Sequence, residues 1–340
     1  MLSVSSDCPN SSLPAVSVIV PVFDGAVDLP ELLAGLDRQS YPVEQLEVLI
    51  VDNNSNDSSR ELVTEHCRQR PHFKLLSETE IQSSYAARNT GIRAAQGEIL
   101  AFTDADCRPE PGWLSALVAP FVDPAVGLVA GEILAVASEG LLEQYAERQQ
   151  VLSQRHTLAH PQGPYGQTAN LAVRREALLE AGLFRPYLTT GGDADLCWRV
   201  QNSGQWRLEA APEAVVRHRH RTTLSEFRKQ WRRYGRSNRY LHSLHGIPLQ
   251  REPTLQEYSY RTLRWLLKEL PQASLKLLRG QAGVVDLLGT PIDLVGRQAR
   301  AYGQKTAQLP DNAREIPSLA LPPASDRQST LRADPLSFSS

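Results

Sequence analysis

Residues 98 to 113, EILAFTDADCRPEPGW, end an apolar run with two carboxylates, Asp104 and Asp106, just ahead of a proline-rich break. Two carboxylates about 4 Å apart repel by roughly 4 kcal/mol at an effective dielectric near 20. A divalent cation shared with a phosphate reverses that cost, because Mg²⁺ or Mn²⁺ is held by one or two carboxylates, with phosphate oxygens and water completing its shell. The pair therefore suits metal-assisted phosphate chemistry. A lone D-x-D is also an ordinary surface feature, and the two side chains share a face only if the strand persists through Asp106. Other routes to phosphate have no signal: the first apolar strand leads into PVFDGAVDL, without G-x-G-x-x-G, and no G-x-x-x-x-G-K-[ST] occurs.

The elements that must carry these residues alternate. VSVIVPV, residues 16 to 22, is β-branched and continuously apolar, as a strand buried on both faces of a parallel sheet should be. Leu29, Leu32, Leu33 and Leu36 then recur at helical spacing, LEVLIVD is a second strand and DSSRELVTEHCRQ a second helix. FKLLS, SSYAARNTGIRAAQ and EILAFTDAD continue as strand, helix and strand through residue 106, the pattern of a doubly wound α/β unit. Beyond it VGLVAGEILAV predicts further strand, residues 140 to 155 a polar helix, and TANLAVRREALLEAGLF a strand entering a helix. From about residue 222 the pattern is helical. In such sheets ligands sit beyond the carboxyl ends of the strands, where this chain is polar and acidic.

Composition is that of a soluble globular protein: 340 residues, 41% hydrophobic, 22% charged, formal net charge −2, which gives no general pull toward nucleic acid. Cys8, Cys67, Cys107 and Cys197 have no paired-ligand spacing and read as reduced thiols. The first residues lack a basic region ahead of an apolar core, and no run of about 18 apolar residues suggests a membrane span. The expectation is a cytoplasmic protein, with peripheral contact at the inner face of the cytoplasmic membrane as the furthest it would go.

Four stretches in register, SVIVPVFDG, LIVDNNSNDSS, ARNTGIRAAQGEILAFTDADCRPEPGWL and GGDADLCWRV, span roughly residues 16 to 200 and resemble the family 2 glycosyltransferases. The resemblance implies the GT-A fold, a Rossmann-like, mostly parallel sheet flanked by helices. It also implies inverting transfer of a sugar from a nucleoside diphosphate donor, UDP- or TDP-type, to a hydroxyl of a glycan, a lipid-linked sugar or a small molecule, as in polysaccharide or glycolipid biosynthesis. By the same resemblance Asp52 lies beside the donor base, Pro21 shapes the first loop, and Arg88 lies near base and phosphates. Asp104 would contact donor ribose or metal-bound water, and Asp106 would ligate the metal. Asp193 would take the acceptor proton, with Asp195 on the acceptor side, although Gly192 stands where many relatives carry Glu. Of His218 and His220, the first is preferred as a further metal contact. Bland roles compete: a turn or helix cap for Asp52, a helix-surface position for Arg88, a helix N-terminal charge for Asp195, and packing for Trp198.

The expected domains are a tail over 1–14, the GT-A unit over 15–220, a helical region over 221–308 and a disordered Pro- and Ser-rich tail over 309–340. Between Arg217 and Arg239 nine Arg or Lys face one acid, Glu226. That stretch could neutralise a diphosphate or rest on anionic lipid, and QWRRY within it resembles the Q-x-x-R-W signature of polymerising relatives. VVDLLGTPIDLVGRQARAYGQK is amphipathic and suits packing on the domain, a homodimer contact or a membrane interface. Two other readings are a sugar nucleotidyltransferase, which would carry a glycine-rich loop after the first strand, and a noncatalytic GT-A-like partner protein.

Overall fold

The computed structural model describes residues 13–319, so Cys8 and the parts of the expected tails over 1–12 and 320–340 lie outside the described residues. The first half alternates strand and helix: β1 (Val16–Val22), α1 (Leu29–Asp37), β2 (Leu46–Asp52), α2 (Ser59–Gln69), β3 (Phe73–Ser77), α3 (Ser84–Ala94) and β4 (Ile99–Thr103). A short β5 (Cys107–Pro109) and α4 (Trp113–Val118) lead to β6 (Val126–Ala135). The expected helix over 140–155 is two, α5 (Leu141–Arg148) and α6 (Gln154–Leu158), followed by β7 (Asn170–Arg174), α7 (Arg175–Ala181), α8 (Gly192–Asn202) and β8 (Arg207–His218). The helical region comprises α9 (Leu224–His245), α10 (Leu255–Arg264), α11 (Leu270–Leu278) and α12 (Val284–Thr306).

The strands form one sheet in the order β3-β2-β1-β4-β7-β6-β8-β5. The run from β3 to β4 is parallel, β7 is antiparallel to both β4 and β6, and β8 is parallel to β6. Two apolar layers cover its faces, one around Leu32, Trp113 and Val129, the other around Ile19, Phe102 and Phe184. Trp113 and Phe102 are fully buried, and truncating either to Ala is worth about 3–5 kcal/mol.

This topology assembles one rim. The carboxyl ends of β1, β2, β4, β6 and β8 point the same way, and the reversed β7 brings its amino end, just after Thr168, to the same edge. β4 ends at Thr103, earlier than expected, because Asp104 carbonyl accepts the Cys107 N–H at 3.0 Å and turns the chain into β5. Asp104 and Asp106 therefore lie on a turn, not on one strand face.

In the second half one expectation narrows and one changes. The α12 segment packs on α9, where Gly235 and Gly303 let the backbones meet: a Cβ on Gly303 would lie 2.1 Å from the Arg232 carbonyl oxygen. The tail expected over 309–340 is ordered structure as far as 319. Leu309, Ala313 and Leu319 join the apolar layer around Phe184, and the Leu183 N–H donates to the Pro317 carbonyl at 2.8 Å. Three well-spaced apolar residues and main-chain pairing offset the ordering cost in a segment whose composition alone suggested none.

Candidate active site

The rim encloses two adjoining cavities, of about 160 and 490 Å³, and both are lined by Ser84, Arg88, Asp104, Thr189, His218, Arg221 and Arg233. Pro21, Asn53 and Asp106 belong to the larger, while Tyr165, Thr168, Asp193, Gln230 and Tyr234 belong to the smaller. A shared wall of three arginines between two carboxylate-bearing chambers is a place to hold a polyanion with a second reactant beside it.

Asp106 is positioned by strand pairing. β5 runs antiparallel to β8 with Cys107 opposite His218, so the end of β8 delivers His218, and the residues just beyond it Arg221, to the turn. Asp106 Oδ2 lies 3.2 Å from His218 Nε2 and 3.5 Å from an Arg221 guanidinium nitrogen. Burial alone would raise this carboxyl's pKa, but His218 and Arg221 outweigh it and hold Asp106 well below the usual carboxylate range. Asp104, two residues earlier, pairs with Arg88, which is itself buried and lies 5.6 Å from the Tyr85 ring centre.

Asp193 sits in the first turn of α8, a helix entered through Gly191 at φ +81°. Its Oδ1 accepts the Thr168 hydroxyl at 2.9 Å. Burial raises its pKa, Arg88 and Thr168 pull it back, Asp104 pushes it up again, and the net direction is upward. A half-buried carboxyl with a raised pKa facing a cavity is suited to accept a proton.

Residues 17–182 match the Glycosyl transferase family 2 profile. The chain is 34% identical over 229 residues to glycosyltransferase AglE of Haloferax volcanii, covering 65% of this chain and 72% of that protein. It belongs to glycosyltransferase family 2. The same identity over 229 residues relates the transferase to the pre-mycofactocin glycosyltransferase of Mycobacterium tuberculosis, of which it spans 46%. In fold it is similar to mannosyltransferase PcManGT from Pyrobaculum calidifontis, solved with GDP-Man and Mn²⁺, with TM-score 0.59, 22% identity, and 87% of this chain and 88% of that one covered. That is the GT-A fold, and membership sets aside the sugar nucleotidyltransferase and noncatalytic readings.

Within the transferase, Asp195 departs from its expected place on the acceptor side. It is fully buried on α8, with Arg185 Nε and Arg199 Nε each at 3.0 Å and His245 Nε2 at 2.9 Å, and it lines neither cavity. Burial raises its pKa, but His245, Arg199 and Arg185 bring it down to about 2. Asp195 is an anchor joining α7's exit, α8 and the end of α9. Two residues along a helix differ in direction by about 200°, so of the D-x-D in α8 only Asp193 faces the cleft.

Asp52 is at the same rim but behind its wall. It is buried, with Oδ2 accepting Arg60 at 2.9 Å and Oδ1 accepting the Ser55 N–H at 3.3 Å, and its neighbour Asn53 takes the cavity position. His220 is buried against His218, and burial first, then His218 and Arg221, lowers its pKa to about 4, so it is neutral at physiological pH.

Among the described residues no three His, Cys, Asp or Glu converge as metal ligands. A cation bound mainly by substrate phosphates needs only one or two protein ligands, and adjacent ligands of an octahedral ion at about 2.1 Å stand about 3 Å apart. Asp106 Oδ2 and His218 Nε2 fit that spacing, and the buried Nδ1 of His218 has no hydrogen-bond partner. Both residues can serve, so the site fits a divalent ion.

Several lining residues escaped sequence reading. Thr168, Thr189 and Tyr165 carry no motif, and Arg221 and Arg233 were visible only as members of a basic stretch.

Proposed function

We propose that this family 2 glycosyltransferase is an inverting, metal-assisted enzyme that moves a sugar from a nucleoside diphosphate donor to an acceptor hydroxyl. The observation that carries this reading is the junction of the two cavities at Arg88, His218, Arg221 and Arg233, with Asp106 on one side and Asp193 on the other. The donor diphosphate lies in the larger chamber against the arginines, and the acceptor enters the smaller one. A fold neighbour's complex with GDP-Man and Mn²⁺ supports the donor class and the metal.

Asp106 and His218 would hold Mn²⁺ or Mg²⁺, which neutralises negative charge on the departing diphosphate. Arg88, Arg221 and Arg233 supply fixed positive charge at the same place. Asp193, oriented by Thr168, takes the acceptor proton as the acceptor oxygen bonds to the anomeric carbon. The bond from that carbon to the phosphate oxygen breaks, its electron pair leaves with the diphosphate, and attack from the opposite face inverts the anomeric centre.

The test is a panel of UDP-, TDP- and GDP-sugars with and without Mn²⁺, reading nucleoside diphosphate release by the full chain. Release from one donor class that requires metal and falls steeply in Asp106→Asn supports the reading. Metal-independent release unchanged in that variant overturns it.

A further inference from the structure

α10 and α11 are joined through a π turn at Trp265–Glu269 into one helical segment over 255–278. Only Ala273 in it is buried. Its polarity is inverted for a surface helix. The contacts to α12 are polar: Trp265 Nε1 donates to the Leu287 carbonyl at 2.8 Å, Thr290 donates to Glu269 at 2.6 Å, and Arg261 pairs with Asp293. The leucines are outside instead, with Leu255 86%, Leu267 78% and Leu278 85% exposed, and Leu263, Leu266 and Leu275 about half exposed. Leucines this exposed along one helical segment mark a contact site.

The charges of the same segment say what it meets. Residues 255–279 hold Arg261, Arg264, Lys268, Lys276 and Arg279 against Glu257 and Glu269, an excess of three positive charges. Lys268, Lys276 and Arg279 pair with no carboxylate among the described residues. No described helix is long and apolar enough to cross a membrane. Leucines between unpaired basic residues, on a helix lying flat against the body, match the interfacial mode of binding, apolar side chains in the acyl boundary and ammonium groups among lipid phosphates. A second copy of the chain would set the same cations against each other.

We infer that the 255–278 segment docks the protein on an anionic lipid bilayer. No residue of the segment lines either cavity, where Arg221 and, from α9, Arg233 stand, and the contact is independent of the reaction proposed above. Each basic residue near such a surface contributes about fivefold in affinity, so the three unpaired ones give a preference for anionic over zwitterionic lipid on the order of a hundredfold.

The test is cosedimentation of the full chain with phosphatidylglycerol vesicles and with phosphatidylcholine vesicles, alongside light scattering without lipid. Binding to phosphatidylglycerol vesicles that weakens with salt is expected, and it should be lost both in Leu266→Asp/Leu267→Asp and in Lys268→Glu/Lys276→Glu/Arg279→Glu. These positions are exposed, so melting temperatures should stay at the parent value. Failure to bind phosphatidylglycerol vesicles, equal binding to both lipids, or undiminished binding by the variants overturns the inference. So does dimerisation without lipid that the leucine variant abolishes, which would assign the face to a second subunit.

Discussion

The Tyr85 ring fills the space beside Gly192 where a side chain would stand, and its hydroxyl accepts the Gly192 backbone N–H at 2.9 Å. A Cβ at position 192 would come 2.7 Å from the ring carbon that bears the hydroxyl. The ring also lines the smaller cavity and borders Arg88, so Tyr85 occupies space that a longer side chain at 192 would need. Gly192→Ala should destabilise the protein by about 1–3 kcal/mol through overpacking. Tyr85→Leu should relieve part of that cost, and a double-mutant cycle by thermal melts would read the coupling. Additive losses would mean that the two residues do not meet.

Asp193→Asn keeps the shape of the side chain and its contact with Thr168 while removing the proton acceptor. Transfer should fall by about 10²- to 10⁴-fold with nucleoside diphosphate affinity preserved. Calorimetric titration beside a turnover assay separates the two, and parallel loss of binding and turnover would count against the base role.

Thr168→Val removes a hydrogen bond that favours the charged form of Asp193, whose pKa burial already raises. The carboxyl must be ionised to accept a proton, so the acid limb of the kcat/KM profile should move to higher pH in the variant. A limb that stays put, or moves down, would indicate that another group governs it.

Asp195 should behave as a stability residue. Asp195→Ala leaves Arg185 and Arg199 largely buried without their carboxylate, at a cost of about 3–5 kcal/mol. Its folded pKa of about 2 lies below the ordinary value near 4. The stabilisation is therefore complete above about pH 4 and is lost as pH falls toward 2. Acid unfolding of the parent should steepen in that window, and the variant should lack this component. A variant that melts like the parent but fails only in transfer would return Asp195 to the acceptor side.

The alternation of strand and helix through residue 103 was legible because parallel strands buried on both faces leave uninterrupted apolar runs such as VSVIVPV. That Asp106 and Asp193 reach one rim was expected too, from the family resemblance. What each aspartate touches was not. Asp195 is fixed by Arg185 ten residues back and His245 fifty residues on, and Asp52 is turned inward by Arg60. Thr168 reaches Asp193 only because β7 runs against its neighbours, a reversal that no local pattern encodes. The packed stretch over 309–319 escaped for a similar reason: its apolar residues are spaced for a surface they meet, not for a helix or strand of their own.

That stretch is tied to the helix that carries Asp193. Arg185 grips Asp195 with one nitrogen and, with another, holds the carbonyl of Arg314. Clipping the protein after Thr306 would thus unfasten a strut beneath α8, and the damage would surface at Asp193, on the far side of the same helical turn.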